Sequence, residues 1–140
     1  MKKFTMALSL VLAGCSSTPT TQKIPHYHPT PSITQSAEGP TYWLSDVMVP
    51  PDYPRAALMR GIEGCAKIGF TITPDGTTAD PFVMQSFPEG AFDETSIQTA
   101  LKLTYKPAET NTNRIAVIGS NIFTYGQSNR SFESLSAPCR

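Results

Sequence analysis

The stretch AKIGFTITPDGTTADPFVMQS, residues Ala66 to Ser86, decides the fold. Ala66, Ile68, Phe70 and Ile72 fall on one face of an extended chain and Lys67, Gly69, Thr71 and Thr73 on the other, the period-two pattern of a half-buried β-strand. Thr73-Pro74-Asp75-Gly76 then supplies a turn. The fixed φ of proline suits the second position of a type I turn, and Gly76 is free to take the positive φ that a bulged hairpin requires. Thr77 to Ser86 is expected to return as a second, antiparallel strand. Pro81 lies inside it and cannot donate to a ladder, so that strand is either an edge there or bulged.

Before this hairpin, Pro54 suits the first turn of a short helix over Arg55 to Arg60, ended by Gly61, with Ala57 and Leu58 facing inward. Tyr42-Trp43-Leu44 and Val47-Met48-Val49 are β-prone and are stopped by Pro50-Pro51, giving either a strand or a packed lead-in. After the hairpin, Asp93 is expected to cap a second helix. Phe92 and Ile97 would form its hydrophobic staple, and Ile97, Ala100 and Leu101 its apolar face. Pro107 bars continuation of that helix, a polar loop runs from Ala108 to Arg114, and Ile115 to Tyr125 reads as a last long strand. The order helix, strand, strand, helix, strand implies an α+β fold.

With 140 residues the chain has room for one domain. Eleven Lys and Arg balance eleven Asp and Glu, which leaves no basic field for nucleic acid. Thirteen prolines and a hydrophobic fraction of 39% place part of the chain outside the core. No nucleophile motif or Gly-rich phosphate loop is present, and Asp75, Asp80, Asp93 and Glu94 all have turn, surface or capping readings. The chain therefore does not read as an enzyme. The only two histidines, His26 and His28, could hold a metal only with ligands from another element, so no metal site and no cofactor are expected.

Lys2 and Lys3 precede an apolar run from Phe4 to Leu12, shorter than the roughly 20 residues of a membrane-spanning helix, and the segment reads as a secretory signal. Its end, Leu12-Ala13-Gly14-Cys15, resembles the lipobox of bacterial lipoproteins. That resemblance implies cleavage after Gly14, acylation of Cys15 and attachment to a membrane through lipid. Ser16, rather than Asp, implies the periplasmic side of the outer membrane by enteric-type sorting, with the inner membrane as the alternative. Residues 16–41 carry Pro19, Pro25, Pro29, Pro31 and Pro40 and read as a tether, about 30 Å end to end as coil and about 80 Å at full polyproline reach. In an oxidising compartment the remaining cysteines, Cys65 and Cys139, are either bridged, with a loop-closure gain of about 4 kcal/mol, or two separate thiols. The expected layout is a signal peptide over 1–14, a tether over 15–41, a folded domain over 42–125 and a tail over 126–140.

Tyr53-Pro54, Ala57, Gly61, Glu63-Gly64, the alternation Ile68, Phe70, Ile72, and Asp75-Gly76 are followed by Ser86, Pro88, Gly90, Phe92-Asp93, Ala100-Leu101 and Tyr105-Lys106-Pro107. Together, over about residues 50 to 125, they resemble the C-terminal domain of the TonB energy-transducer proteins. The resemblance implies a small three-stranded antiparallel sheet with two helices packed on one face. Thr78 and Pro81 depart from it, standing where β-branched apolar residues are usual. It also implies a protein-binding module that engages partners by adding a strand to the last strand. On this chain the implied edge is Ile115, Val117, Gly119, Asn121 and Phe123, acting through the backbone; the alternative is that the tail from Gly126 covers that edge.

The partners implied are envelope proteins, among them segments of TonB-dependent receptors, and family members also exchange strands into homodimers. TonB transducers themselves carry an uncleaved transmembrane helix and a long spacer, whereas here a lipid anchor and a short tether are expected. The chain thus reads as a periplasmic, lipid-anchored adaptor in TonB-linked transport or envelope assembly. A peptidoglycan-binding or structural envelope lipoprotein is the alternative.

Overall fold

A computed structural model describes Ile33–Thr34, residues 41–127 and residues 129–140. In chain order the elements are β1 (Ile33–Thr34), β2 (Trp43–Val47), α1 (Arg55–Met59), β3 (Gly64–Ile72), β4 (Thr78–Phe87), α2 (Asp93–Ala100), β5 (Thr104–Pro107), β6 (Val117–Tyr125) and α3 (Phe132–Ser136), closed by a 3-10 turn over Ala137–Cys139. β3 is the centre of the main sheet. β4 and β6 flank it antiparallel, and β1 adds to the outer side of β6 in parallel, giving the order β1-β6-β3-β4. The three-stranded antiparallel sheet with α1 and α2 is the architecture expected from the sequence; β1, the β2–β5 ladder and α3 are additions to it.

The alternation in β3 builds the core. Ala66, Ile68, Phe70 and Ile72 are all fully buried and join Val117 and Phe123 of β6 with Ala57, Phe92, Ala100 and Leu103 from the helical side. Tyr53, Phe92 and Tyr125 lock the helices to the sheet: the rings of Phe92 and Tyr125 stack at 4.0 Å, and Tyr53 meets both edge-on. Tyr53 donates to the Ile62 carbonyl (2.6 Å), and the Tyr125 hydroxyl shares a hydrogen bond with Ser96 Oγ (2.6 Å). The hairpin turns where Pro74 and Gly76 place it, with Gly76 at φ +87° and its carbonyl accepting the Tyr105 N–H (2.8 Å).

Four local expectations are corrected. Phe92, not Asp93, occupies the cap position of α2, and Asp93 is the first helical residue with no side-chain capping bond, because the Phe92 ring is held in the aromatic stack at the helix entrance. In α1 only Ala57 turns inward; Leu58 is exposed, since five residues present too narrow a face to bury both. α2 stops at Ala100, ahead of Pro107, and Thr104–Pro107 forms β5, antiparallel to β2 with Trp43 opposite Pro107. The final strand starts at Val117 rather than Ile115, because both backbone groups of Ile115 are engaged elsewhere: its N–H donates to Asn111 Oδ1 (2.8 Å) and its carbonyl accepts from Trp43 Nε1 (2.8 Å).

The two departures from the family pattern have local explanations. Thr78 is buried and its hydroxyl donates to the Ala100 carbonyl (2.6 Å), tying the start of β4 to the last turn of α2. Pro81 sits where the β3–β4 register breaks, beside Asp80 at φ +48°, so β4 is both an edge and bulged.

The opposite face of β3 carries Cys65, Lys67, Gly69 and Thr71. Cys65 is joined to Cys139 by a disulfide with a Cα–Cα distance of 6.2 Å, and both residues are fully buried. The bridge draws α3 and the 3-10 turn across this second face, where Leu135 is buried against Gly126. Ser131 caps α3 by accepting the Ser134 N–H (3.2 Å).

Candidate functional site

A sheet with two edges offers two places for strand addition, and the sequence makes them unlike. β4 carries Pro81, the strained Asp80 and two register breaks, features that blunt an edge. β6 reads Val-Ile-Gly-Ser-Asn-Ile-Phe-Thr-Tyr across nine residues, with no proline, no charged side chain and an unbroken register against β3 from Gly64↔Tyr125 to Ile72↔Val117.

The residues of β6 divide their work by face. Val117 and Phe123 are buried in the core, and Asn121 lies opposite Ile68 on the same face, half-buried. Gly119 is buried opposite Phe70; a Cβ there would lie 3.2 Å from Ile72 Cδ1 and 3.3 Å from Phe70 Cε2, so the close approach of these side chains explains the glycine. Ile118, Ser120, Ile122 and Thr124 alternate onto the second face, where Ser120 is exposed. Side chains thus fix the strand to its own domain, and its outward side is left to backbone N–H and C=O groups. Among the described residues, the only strand on that side is β1, which pairs at Val117 and Ile118; none pairs outward from Gly119 to Tyr125. α3 and the tail pack across the second face and add no strand to this edge.

The far end of β6 is buried at Tyr125. Burial pushes the Tyr125 phenol above its ordinary value of 10.0, against the lowering effect of the Ser96 hydrogen bond, so the stacked ring stays neutral. Beyond it, the Gln127 N–H donates to Glu63 Oε1 (2.7 Å), which fixes the path of the chain as it leaves the edge. On the hairpin, hydrogen bonds from Thr73 and Thr77 hold the Asp75 carboxyl below its ordinary value of 3.8. This stabilises a turn remote from the edge.

Val117, Gly119, Asn121 and Phe123 therefore stand in one row on β6, with Ile115 just before it. Cys15, His26 and His28 lie outside the described residues. Among the described residues no group of three or more His, Cys, Asp or Glu could hold a metal ion, and no helix is long and apolar enough to cross a membrane. What sequence reasoning missed is β1: Ile33–Thr34 falls in the stretch read as tether.

The family model of the Gram-negative bacterial TonB protein C-terminal matches residues 49–126, which takes in α1, α2 and the antiparallel strands β3, β4 and β6. The chain belongs to the TonB C-terminal family. Protein TonB of Pseudomonas aeruginosa is 40% identical to it over 93 residues, or 61% of this chain, and the chain spans 27% of that protein's length. The solution NMR structure of the Pseudomonas aeruginosa TonB C-terminal domain is similar with a TM-score of 0.55 at 33% identity, covering 67% of this chain and 95% of the solved one.

Membership gives the motif residues their places. Tyr53 belongs to the aromatic lock, Glu63 holds the exit of β6, and Gly76 turns the hairpin. Gly64 lies hard against the Phe87 backbone, and Lys106 pairs with Asp46 (2.7 Å) across the β2–β5 ladder. All are structural roles. They specify the fold that presents β6.

Proposed function

We propose that this chain is an envelope adaptor, attached to a membrane through acylated Cys15, whose TonB-type domain binds an extended segment of a partner along β6. The observation that carries this reading is the contrast between the two sheet edges: β4 is blunted by Pro81 and its bulges, whereas β6 is long, uncharged and unpaired outward from Gly119 among the described residues. An extended peptide gains main-chain hydrogen bonds there, and its alternate side chains meet the second face beside Ser120 and Ile122. The partner class is an envelope protein with an extended periplasmic segment, such as the N-terminal segment of a TonB-dependent outer-membrane receptor. The role is adaptation in TonB-linked transport or envelope assembly, with no catalysis by this domain.

The test is in-cell crosslinking from a photoreactive residue at Asn121, with the same residue at Gln85 on β4 as control. Adducts to an extended segment of an envelope protein from Asn121, absent from Gln85, are expected. Equal labelling from both edges, or none from Asn121 in a folded, membrane-localised protein, would remove β6 as the binding surface. Loss of membrane localisation in Cys15→Ser is the separate expectation for the anchor.

A further inference from the structure

The edge offered to a partner is already partly occupied. Ile33 pairs with Val117 and Thr34 with Ile118, in parallel, so a segment of the chain's own N-terminal part forms the fourth strand of the sheet. We infer that Ile33–Thr34 is a cis-acting strand that competes with an incoming partner for the start of β6 and so gates the edge. This rests on the reading of β6 as the partner-binding surface and adds its regulation.

Three observations support it. The first is position: β1 sits on the outer side of β6 and in line with the unpaired stretch from Gly119, so a partner strand that extends past Gly119 toward Val117 meets it directly. The second is sequence. Between residues 16 and 41 prolines interrupt the chain at five places, and the longest run without one is Ser32 to Gly39. Each residue of that run keeps the N–H a ladder needs, and it contains the adjacent β-branched residues Ile33 and Thr34. The third is tethering. From seven to nine residues after Thr34 the chain is fixed beside the approach to β6: the Ala108 N–H donates to the Tyr42 carbonyl (2.9 Å), Thr110 Oγ1 donates to the Thr41 carbonyl (3.2 Å), and Trp43 Nε1 donates to the Ile115 carbonyl (2.8 Å). A strand held by so short a connection acts at an effective concentration on the order of millimolar.

Two residues of pairing are weak enough for a longer partner strand to displace. While they are in place they reduce the competent fraction of the edge and lower apparent affinity by that fraction. A segment that holds the edge about nine-tenths of the time weakens a partner that needs Val117 and Ile118 about tenfold.

The test compares the full chain with Ile33→Pro/Thr34→Pro, which removes both amide donors of β1. Of the consecutive Val117 and Ile118 backbone groups, one set faces β3 and the next faces outward. We therefore expect the outward amides of the Val117–Gly119 segment to exchange with solvent several-fold faster in the variant, with the β3 amides and the melting temperature unchanged. A photoreactive residue at Ser120 should then give a several-fold higher yield of adducts in cells from the variant than from the parent chain. Unchanged exchange would overturn cis pairing while leaving β6 as a partner surface. Faster exchange with equal adduct yields would overturn the gate, and faster exchange with no adducts from either chain would overturn the gate together with the binding reading. A strand already displaced in wild-type cells would show as equal yields and counts against the gate.

Discussion

Cutting the Cys65–Cys139 bridge should have a large and calculable effect. The two cysteines are 74 residues apart in sequence. In the chain-entropy treatment, a loop of that length stabilises the folded state by about 4 kcal/mol at 25 °C, by restricting the unfolded chain. That is a large share of the roughly 5 to 15 kcal/mol by which domains are stable. Unfolding entropy for about 100 residues is roughly 0.2 kcal/mol per degree, so the melting temperature should drop by about 15 to 20 °C. The main core contains neither cysteine, and Leu135 with Ser136 still buries part of the tail, so the reduced domain should stay folded at 25 °C with its β3–β6 pairing intact. Urea unfolding of the oxidised protein, the reduced protein and Cys65→Ala/Cys139→Ala, each followed by Trp43 fluorescence, measures this. A loss below about 1 kcal/mol in both the reduced protein and the double variant would mean that the unfolded chain is already constrained, and the loop-entropy reasoning would be refuted.

Thr78→Val should destabilise the domain by about 1 kcal/mol, because the Ala100 carbonyl loses the threonine hydroxyl but still accepts the Leu103 N–H; a urea midpoint equal to the parent's would show that the tie to α2 is idle. Trp43→Phe keeps an aromatic ring but strips the half-buried Ile115 carbonyl of its indole donor, and a loss of about 1 to 2 kcal/mol is expected in the same assay. Burial raises the phenols of Tyr105 and Tyr125 above their ordinary value of 10.0. Their contribution is fully present below that value and is lost as pH rises through the folded-state values, since the unfolded phenols ionise first. Urea midpoints measured upward from pH 9 should therefore fall, and fall less in Tyr105→Phe/Tyr125→Phe; an equally steep fall in the double variant would assign the alkaline loss to other groups.

The parts of the fold legible in the sequence are those set by local chemistry. The β3 alternation and the Pro74–Gly76 turn each have one physical reading, and each is realised; Pro81 offered an edge or a bulge, and β4 is both. The parts that were not legible depend on distant partners. Thr104–Pro107 is too short to announce itself as a strand, and its place comes from Trp43 and the rest of β2, some sixty residues earlier. Asp93 is a good cap residue by type, yet Phe92 takes the position because Tyr125 on the last strand stacks on its ring. α3 had a usable signal, Ser131 as a cap residue just before Phe132 and Leu135, but its location on the second face follows from the Cys65 bridge. At the candidate site the residues of β6 could be named from family spacing. The contrast between β6 and β4 emerges only when Pro81, Asp80 and the register breaks are placed on the opposite side of the sheet.

The most direct measurement is backbone amide exchange along β6 with and without a synthetic peptide of the partner segment captured at Asn121. We expect the peptide to slow exchange at alternate amides between Gly119 and Tyr125 and to leave β4 unchanged. Protection along β4 instead, or binding without any protection on β6, would contradict strand addition at this edge.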